Sequence, residues 1–230
     1  MNAMDATPRW STYTWLWVFG IAFGLIEAAV VVYLRALLGI EGDSLFPLRM
    51  TLPPAQAHPM GVELWREVAT LAIMFPPAML FHPRPFLRFQ AYMLVFGVWD
   101  LSYYVFLKVF LGWPASPLTY DLLFLLPTVW VAPVLAPVLI SLALVTISTV
   151  TIWLAQTRPL RVPTRLHFGV AVLGGAIVLT SFMQESGHYL AGGLPPRFSW
   201  PLFAVGYVLA LAAGAHFLYH FARDPRRRAS

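Results

Sequence analysis

Three carboxylates of this sequence lie well inside apolar stretches, where a charged side chain is costly. Glu27, Glu67 and Asp100 each interrupt a run that is long enough to cross a lipid bilayer. A carboxylate in hydrocarbon must be paired, hydrated or protonated, and for that reason such residues are functional-site candidates by default. The chemistry open to them is proton transfer, cation binding or recognition of a polar ligand.

Six apolar stretches predict the helices that position these acids. At about 1.5 Å per residue, each is long enough to cross a hydrocarbon core about 30 Å thick. We therefore predict an all-α, polytopic integral membrane bundle, with residues 1–230 forming a single transmembrane domain. The predicted spans are 13–39, 61–81, 88–112, 128–155, 165–184 and 199–222.

Composition supports a membrane protein and excludes several other classes. Of the 230 residues, 59% are hydrophobic and 11% are charged, whereas a soluble domain carries about 25% charged residues. There are no cysteines, which excludes disulfides and thiolate metal sites. The net charge of +5 comes from basic residues in short loops beside the spans, so it does not indicate nucleic-acid binding.

Two connections between the predicted spans have structure of their own. The apolar part of 113–127 is too short to cross a membrane and predicts a short interfacial or re-entrant helix. Thr119 would be its N-cap, and Asp121 would lie in its first turn, where the helix dipole favours a carboxylate. The proline-rich loop 41–60 predicts extended structure over the mouth of the bundle.

Prolines inside two of the spans predict local distortions of their helices. Pro76 and Pro77 should kink or fray the last turn of the second span. Pro133 and Pro137 should bend the first half of the fourth.

The distribution of basic residues predicts the orientation in the membrane. Ten arginines flank the spans on one side and two, Arg49 and Arg197, flank them on the other. By the positive-inside rule both termini are cytoplasmic. Arginine strongly outnumbers lysine, which favours a GC-rich bacterial genome and hence a plasma or inner membrane, with membrane lipids as partners. In this orientation Glu67 falls in the outer half of the bilayer, and Glu27 and Asp100 fall near its midplane.

Glu27 shares a helical face with Gly20 and Gly24. Because glycines let a second helix approach closely, this face should point at protein rather than at lipid. Arg35 follows about two turns further outward. The alternative is a purely structural hydrogen bond made by a protonated Glu27.

Glu63, Arg66 and Glu67 form an i, i+3, i+4 set on the second span. An ion pair at the start of the helix accounts for Glu63 and Arg66. Glu67 lies about 9 Å deep if the helix starts near residue 61, and we assign it to the site.

Asp100 is followed at helical spacing by Tyr103, Tyr104 and Lys108. The phenols could donate to the carboxylate, forming a polar column typical of a proton or cation path. The alternative is a polar cluster that specifies the fold, with Lys108 reaching the outer headgroups.

We expect the three acids to converge on one cavity in the outer half of the bundle. The predicted substrate-binding residues around it are Tyr103, Tyr104, Arg35, Arg66 and Lys108.

Metal and haem sites are the cofactor hypotheses that the sequence raises. Glu185 and His188, at i and i+3, could bind one metal and, with the buried acids, form an oxygen-rich site for Mg, Mn or Fe. Haem is disfavoured, because His216, His220 and the candidate partner His167 are typical of an interfacial belt.

Three functions are consistent with these patterns. The first is a membrane-embedded enzyme or binding protein acting on a lipid-linked or small polar substrate from the outer face. The second is a small proton- or cation-coupled carrier or channel. The third is a non-catalytic subunit of a membrane complex, and a homo-oligomer is also open. Because carriers usually show internal repeats and none is visible here, the first is preferred.

Overall fold

The computed structural model describes residues 10–39, 54–190 and 197–223 of the chain, except for the side chains of residues 38, 54–60, 189 and 190. Within these ranges there are eight helices and one two-stranded sheet. The elements are α1 Trp10–Leu38, α2 Pro54–Ile73, α3 Phe75–Phe81, α4 Pro85–Leu111, β1 Tyr120–Phe124, β2 Trp130–Pro133, α5 Leu135–Thr157, α6 Arg165–Met183, α7 Ser186–Leu190 and α8 Trp200–Ala222.

The structure confirms an α-helical bundle with six helical segments long and apolar enough to cross a membrane. These segments are Trp10–Leu37, Gly61–Phe81, Pro85–Leu111, Leu135–Thr157, Arg165–His188 and Trp200–Ala222. Large apolar side chains point outward from them, among them Leu37 at 78% exposed, Trp65 at 76% and Leu80 at 84%. An apolar exterior on a bundle of this kind is suited to lipid, so the chain is a multi-pass membrane protein.

The two ends of the bundle differ in how they are filled. At the end that carries the β-hairpin, which we call the hairpin end, α1, α4 and α6 finish and α2, α5 and α8 begin. The opposite end is closed by a continuous apolar core that includes Leu16, Phe81, Leu87, Leu154 and Phe221. Among the buried charged residues that the structure describes, Glu27, Arg35, Glu67 and Asp100 lie in the half of their span nearer the hairpin end, and Asp121 lies in the hairpin itself.

Glycines on α1 bring this helix into direct contact with α4, as the sequence predicts. A Cβ on Gly20 would lie 2.8 Å from the Val98 side chain, and one on Gly24 would lie 2.7 Å from Ser102 Cβ. This close approach orients the face of α1 that carries Glu27 towards the interior, and Glu27 is 5% exposed.

The segment around Asp121 is a β-hairpin, and the predicted short helix is wrong. Strand β1 pairs antiparallel with β2, with Asp121 opposite Ala132 and Leu122 opposite Val131. Pro117 and Pro127 bracket too few residues for a stable helix, while Trp130 and Val131 favour a strand. Pairing the two strands satisfies their backbone groups inside a membrane protein, where water is scarce.

The bounds of one predicted span and of one predicted loop also need correction. The fourth span begins at Leu135 rather than at residue 128, so the predicted bend in its first half does not arise. Pro133 ends β2 and Pro137 lies in the first turn of α5, where a missing N–H removes no helical hydrogen bond. The loop predicted over 41–60 is helical from Pro54 onward, and residues 41–53 lie outside the described residues.

The distortion predicted from Pro76 and Pro77 is confirmed. α2 ends at Ile73, and α3 begins at Phe75 with proline in its first turn.

Candidate functional site

A cavity of about 840 Å³ opens among the described residues, towards the hairpin end of the bundle. α1, α2, α4, β1, β2, α5 and α6 all contribute to its wall. Its size is within the range of small-molecule and cofactor sites, about 300–1,000 Å³. Seven charged residues line it: Glu27, Arg35, Glu63, Arg66, Glu67, Asp100 and Asp121. Glu27, Glu67 and Asp100, the three acids that the sequence singles out, all line this cavity.

Arg66 joins two helices through its guanidinium group. It forms ion pairs with Glu63 on its own helix and with Glu27 on α1. Thr70, one turn after Arg66, donates to the second oxygen of Glu27 at 2.8 Å. The predicted pair of Glu63 and Arg66 is thus part of a larger cluster, and both oxygens of Glu27 have donors.

Glu67 is hydrogen-bonded to the segment that follows β1. The backbone N–H of Leu125 donates to both of its carboxylate oxygens, at 3.1 and 3.0 Å. Glu67 is 5% exposed, so this backbone donor replaces the water that the carboxylate would otherwise bind.

Asp100 and Asp121 have separate hydrogen-bond partners. The hydroxyl of Ser141 on α5 donates to Asp100 at 2.7 Å. The phenol of Tyr104 donates to Asp121 at 2.9 Å, not to Asp100 as the sequence suggested. The reason is the hairpin, which brings a second carboxylate to the face of α4 that carries Tyr104.

Asp121 lies outside the spanning helices and is 3% exposed. Burial raises the pKa of this carboxyl to about 7, and the nearby carboxylate of Asp100 acts in the same direction. The hydrogen bonds from Tyr104 and from the Leu122 N–H lower the pKa, as does the charge of Arg35. Asp121 therefore titrates near neutral pH, which is a common property of functional sites.

Aromatic rings form a large part of the wall beside the acids. The ring of Trp99 lies 6.4 Å from that of Tyr103 and 6.5 Å from that of Phe124, and Phe124 lies 5.2 Å from Trp130. Among the described residues, the indole N–H groups of Trp99 and Trp130 have no hydrogen-bond partner. Buried indole N–H groups usually find an acceptor, but these two nitrogens are themselves shielded from the cavity.

Away from the charged cluster, the cavity is apolar. Its wall there consists of Ile140 and Leu144 on α5 together with Val178, Leu179 and Phe182 on α6. Gly175 of α6 also lines it, and a Cβ built at Gly175 would meet no atom within 4 Å. The cavity thus has a polar part near α1 and α2 and an apolar part between α5 and α6.

Of four further residues predicted to bind substrate, three line the cavity and one does not. Tyr103 and Tyr104 line it. Arg35 also lines it, and its guanidinium stacks on Trp113 with its central carbon 5.6 Å from the ring centroid. Lys108 does not line it, because its ammonium donates to the carbonyls of Gly112 and Pro114, each at 2.8 Å.

The structure does not bring the residues of the metal hypothesis to the cavity. Glu185 and His188 are not among the residues that line it. Nowhere in the described part of the chain do three His, Asp or Glu side chains group closely enough to hold a metal ion. His167, His216 and His220 are hydrogen-bonded to one another near the opposite end, with N···N distances of 2.8 and 3.1 Å.

Sequence reasoning missed three residues of the site. Asp121 is predicted in a short interfacial or re-entrant helix rather than in the site, although its position in an apolar run between two prolines is a usable signal. Thr70 is one turn beyond Arg66 and could have been found by helical spacing. Ser141 could not be singled out from the sequence, because the apolar helix α5 contains several other serines and threonines.

Comparison with other proteins does not add to this description. No protein-family model, curated protein or solved structure matches the chain.

Proposed function

We propose that this membrane protein binds an amphiphilic molecule, with the apolar chain between α5 and α6 and the polar group at the carboxylates. The observation that carries the proposal is the two-part wall of one cavity of about 840 Å³. A small polar solute would leave the apolar part of the cavity empty, and a pure hydrocarbon would offer the buried acids no polar group to contact.

A binding protein or enzyme open to one side is favoured over a carrier. A carrier needs a path to the far side of the membrane, whereas an apolar core fills the end opposite the hairpin. By the predicted orientation, the site faces the outer half of the bilayer. Glu27 lies about 25 Å along α1 from Trp10, which agrees with that depth if residue 10 is near the cytoplasmic surface.

A role as a non-catalytic subunit is less well supported. Acids that contact a partner would lie on the exterior of the bundle, but Glu27, Glu67 and Asp100 are each at most 9% exposed. The carboxylates could exchange protons with a bound polar group, so an enzyme of the acid–base type remains within the proposal.

Gly175 provides a sharp test, because a side chain there would enter the cavity without a clash. We expect Gly175→Phe to fill the apolar part and prevent binding. Gly169→Phe is a matched control, since Gly169 lies on the same helix, also has open space around its Cβ and does not line the cavity. Protein in nanodiscs is incubated with monolaurin, laurate or lauroylcholine, and bound molecules are counted by native mass spectrometry after release.

The expected result is that at least one of the three amphiphiles stays bound to the wild-type protein and to Gly169→Phe but not to Gly175→Phe. The proposal is overturned if none is retained, or if Gly175→Phe retains as much as its control.

A further inference from the structure

We infer that the polar part of the cavity recognises a positively charged ammonium group, as in an amine- or choline-type ester of a long-chain acid. This inference rests on the proposed function and names the class of molecule that the site selects. It follows from two independent features of the wall: its charge and its aromatic rings.

Charge is the first feature. Five carboxyl groups line the cavity against two guanidinium groups. Both oxygens of Glu27 and both of Glu63 already accept hydrogen bonds from Arg66 and Thr70. Glu67 accepts from the backbone N–H of Leu125.

Asp100 and Asp121 have only neutral donors among their hydrogen bonds, from Ser141, Tyr104 and the Leu122 N–H. A ligand cation would complement these two carboxylates in a low-dielectric site.

The same distribution of charge disfavours an anionic headgroup. The guanidinium of Arg66 is shared between Glu27 and Glu63, and that of Arg35 stacks on Trp113. An anion would have to displace these contacts and approach an excess of carboxylates. A phosphate or a free carboxylate is therefore a poor ligand for this wall.

Aromatic rings are the second feature. Tyr103 and Tyr104 follow Asp100 by one turn on α4, with their ring centroids 5.0 Å apart, and Trp99 packs 6.4 Å from Tyr103. All three line the cavity beside Asp100. Aromatic rings in the same wall as a carboxylate can bind quaternary ammonium groups, because the faces of the rings attract cations.

Protonation of Asp121 gives the inference a pH dependence. The charged groups around this carboxyl are Asp100 on α4 and Arg35 on α1, with the Tyr104 phenol as its donor. Burial raises the pKa of Asp121 to about 7. Deprotonation adds a negative charge to the wall, so affinity for a cation should increase as the pH rises through this value.

The experiment compares two molecules that differ in one atom. Lauroylcholine carries a quaternary ammonium, and dimethylbutyl laurate has a carbon atom in place of the charged nitrogen. Wild-type protein in nanodiscs is exposed to equal amounts of both, and the retained molecules are counted by native mass spectrometry. We expect a preference of about tenfold for lauroylcholine, the order of magnitude of a cation–π and charge contribution.

Two variants and one control test which carboxylates recognise the ammonium group. Asp100→Asn and Asp121→Asn should each reduce the preference for lauroylcholine several-fold. If one of the two variants does not fold, the other one alone tests the inference. Glu185→Gln removes a carboxylate that does not line the cavity, so it should leave the preference unchanged. Raising the pH from about 6 to about 8 should increase retention of lauroylcholine but not of its neutral analogue.

Each outcome has a distinct meaning. Equal retention of both molecules, abolished by Gly175→Phe, would overturn the recognition of a cation and leave the proposed function intact. Retention of neither would overturn both. If the preference for lauroylcholine is the same in wild type, Asp100→Asn and Asp121→Asn, other residues recognise the ammonium group, and the inference is also overturned.

Discussion

Arg66 is the residue on which most of the polar cluster depends. Its guanidinium pairs with Glu27 on α1 and Glu63 on α2, and its side chain is 25% exposed. Removing one partner of a fully buried ion pair costs about 3–5 kcal/mol. Because Arg66 is partly exposed, we expect Arg66→Met to lower the free energy of unfolding by less, about 2 kcal/mol, measured as a reduced thermal midpoint in detergent.

A double-mutant cycle separates the ion pair from the loss of packing. Glu27→Gln removes the charge that Arg66 balances, so the double variant should recover part of the stability that Arg66→Met loses. Lys108→Met is the control, since Lys108 caps α4 away from the cavity. Strict additivity of the two single changes would show that Glu27 and Arg66 are not coupled.

Asp121 predicts a pH dependence whose sign follows from its raised pKa. In the unfolded chain an aspartate has a pKa of about 3.9, and in the folded protein that of Asp121 is about 7. Between these values the folded state binds the additional proton, so the contribution of Asp121 to stability falls as the pH rises from about 4 to about 7 and is level above that.

Asp121→Asn removes this titration while keeping a group that can accept from Tyr104. The difference in thermal midpoint between wild type and variant should therefore change between pH of about 5 and about 8, in favour of the wild type at the lower pH. A difference that is the same at both pH values would contradict a raised pKa for this carboxyl.

At the scale of the elements, the contact between α1 and α4 determines whether the acids share one cavity. A Cβ on Gly24 would lie 2.8 Å from the backbone oxygen of Trp99, which cannot move aside as a flexible side chain could. We expect Gly24→Ala to separate the helices and to lower the free energy of unfolding by about 1–3 kcal/mol. The amount of bound amphiphile that the protein retains should fall as well.

Gly169→Ala is the matched control for the change of glycine to alanine within a helix. Nothing lies within 4 Å of a Cβ at this position, so the variant should be as stable as wild type or more stable by up to about 1 kcal/mol. If Gly24→Ala behaves in the same way, the close approach of α1 to α4 does not contribute to the site.

The hairpin is the element that completes the cavity. β1 carries Asp121, and Leu125, which follows it, supplies the N–H that binds Glu67. The phenol of Tyr120 accepts from the backbone N–H of Phe198, just before α8. A short two-stranded sheet is marginal in isolation, so these contacts with the surrounding helices stabilise it where it is.

For the whole molecule, the distribution of arginines predicts which side of the membrane the cavity faces. Reporter fusions after residues 45 and 192 should report the outer compartment, and a fusion after residue 160 should report the cytoplasm. The expected pattern places the hairpin end outside. A cytoplasmic signal from the fusion after residue 192 would reverse the orientation and move the site to the other leaflet.

Much of the architecture could be predicted from the sequence because it depends on local properties. The length and hydropathy of each apolar run are sufficient for a helix in lipid, where the backbone must satisfy its own hydrogen bonds. The same reasoning identified Glu27, Glu67 and Asp100, since a charge in hydrocarbon needs partners. The break before Pro76 and the packing face of Gly20 and Gly24 are likewise local.

The hydrogen-bond partners of these acids depend on contacts between distant segments, which the sequence does not show. Strand pairing between β1 and β2 depends on two segments that meet in space, and helical spacing could not reveal it. That pairing brings Asp121 to Tyr104 and the Leu125 N–H to Glu67, while Ser141 reaches Asp100 from another helix. From the sequence it follows that the buried carboxylates need hydrogen-bond partners. Which groups serve as partners follows from the packing, because hydrogen bonds depend on distance in space and not on distance along the chain.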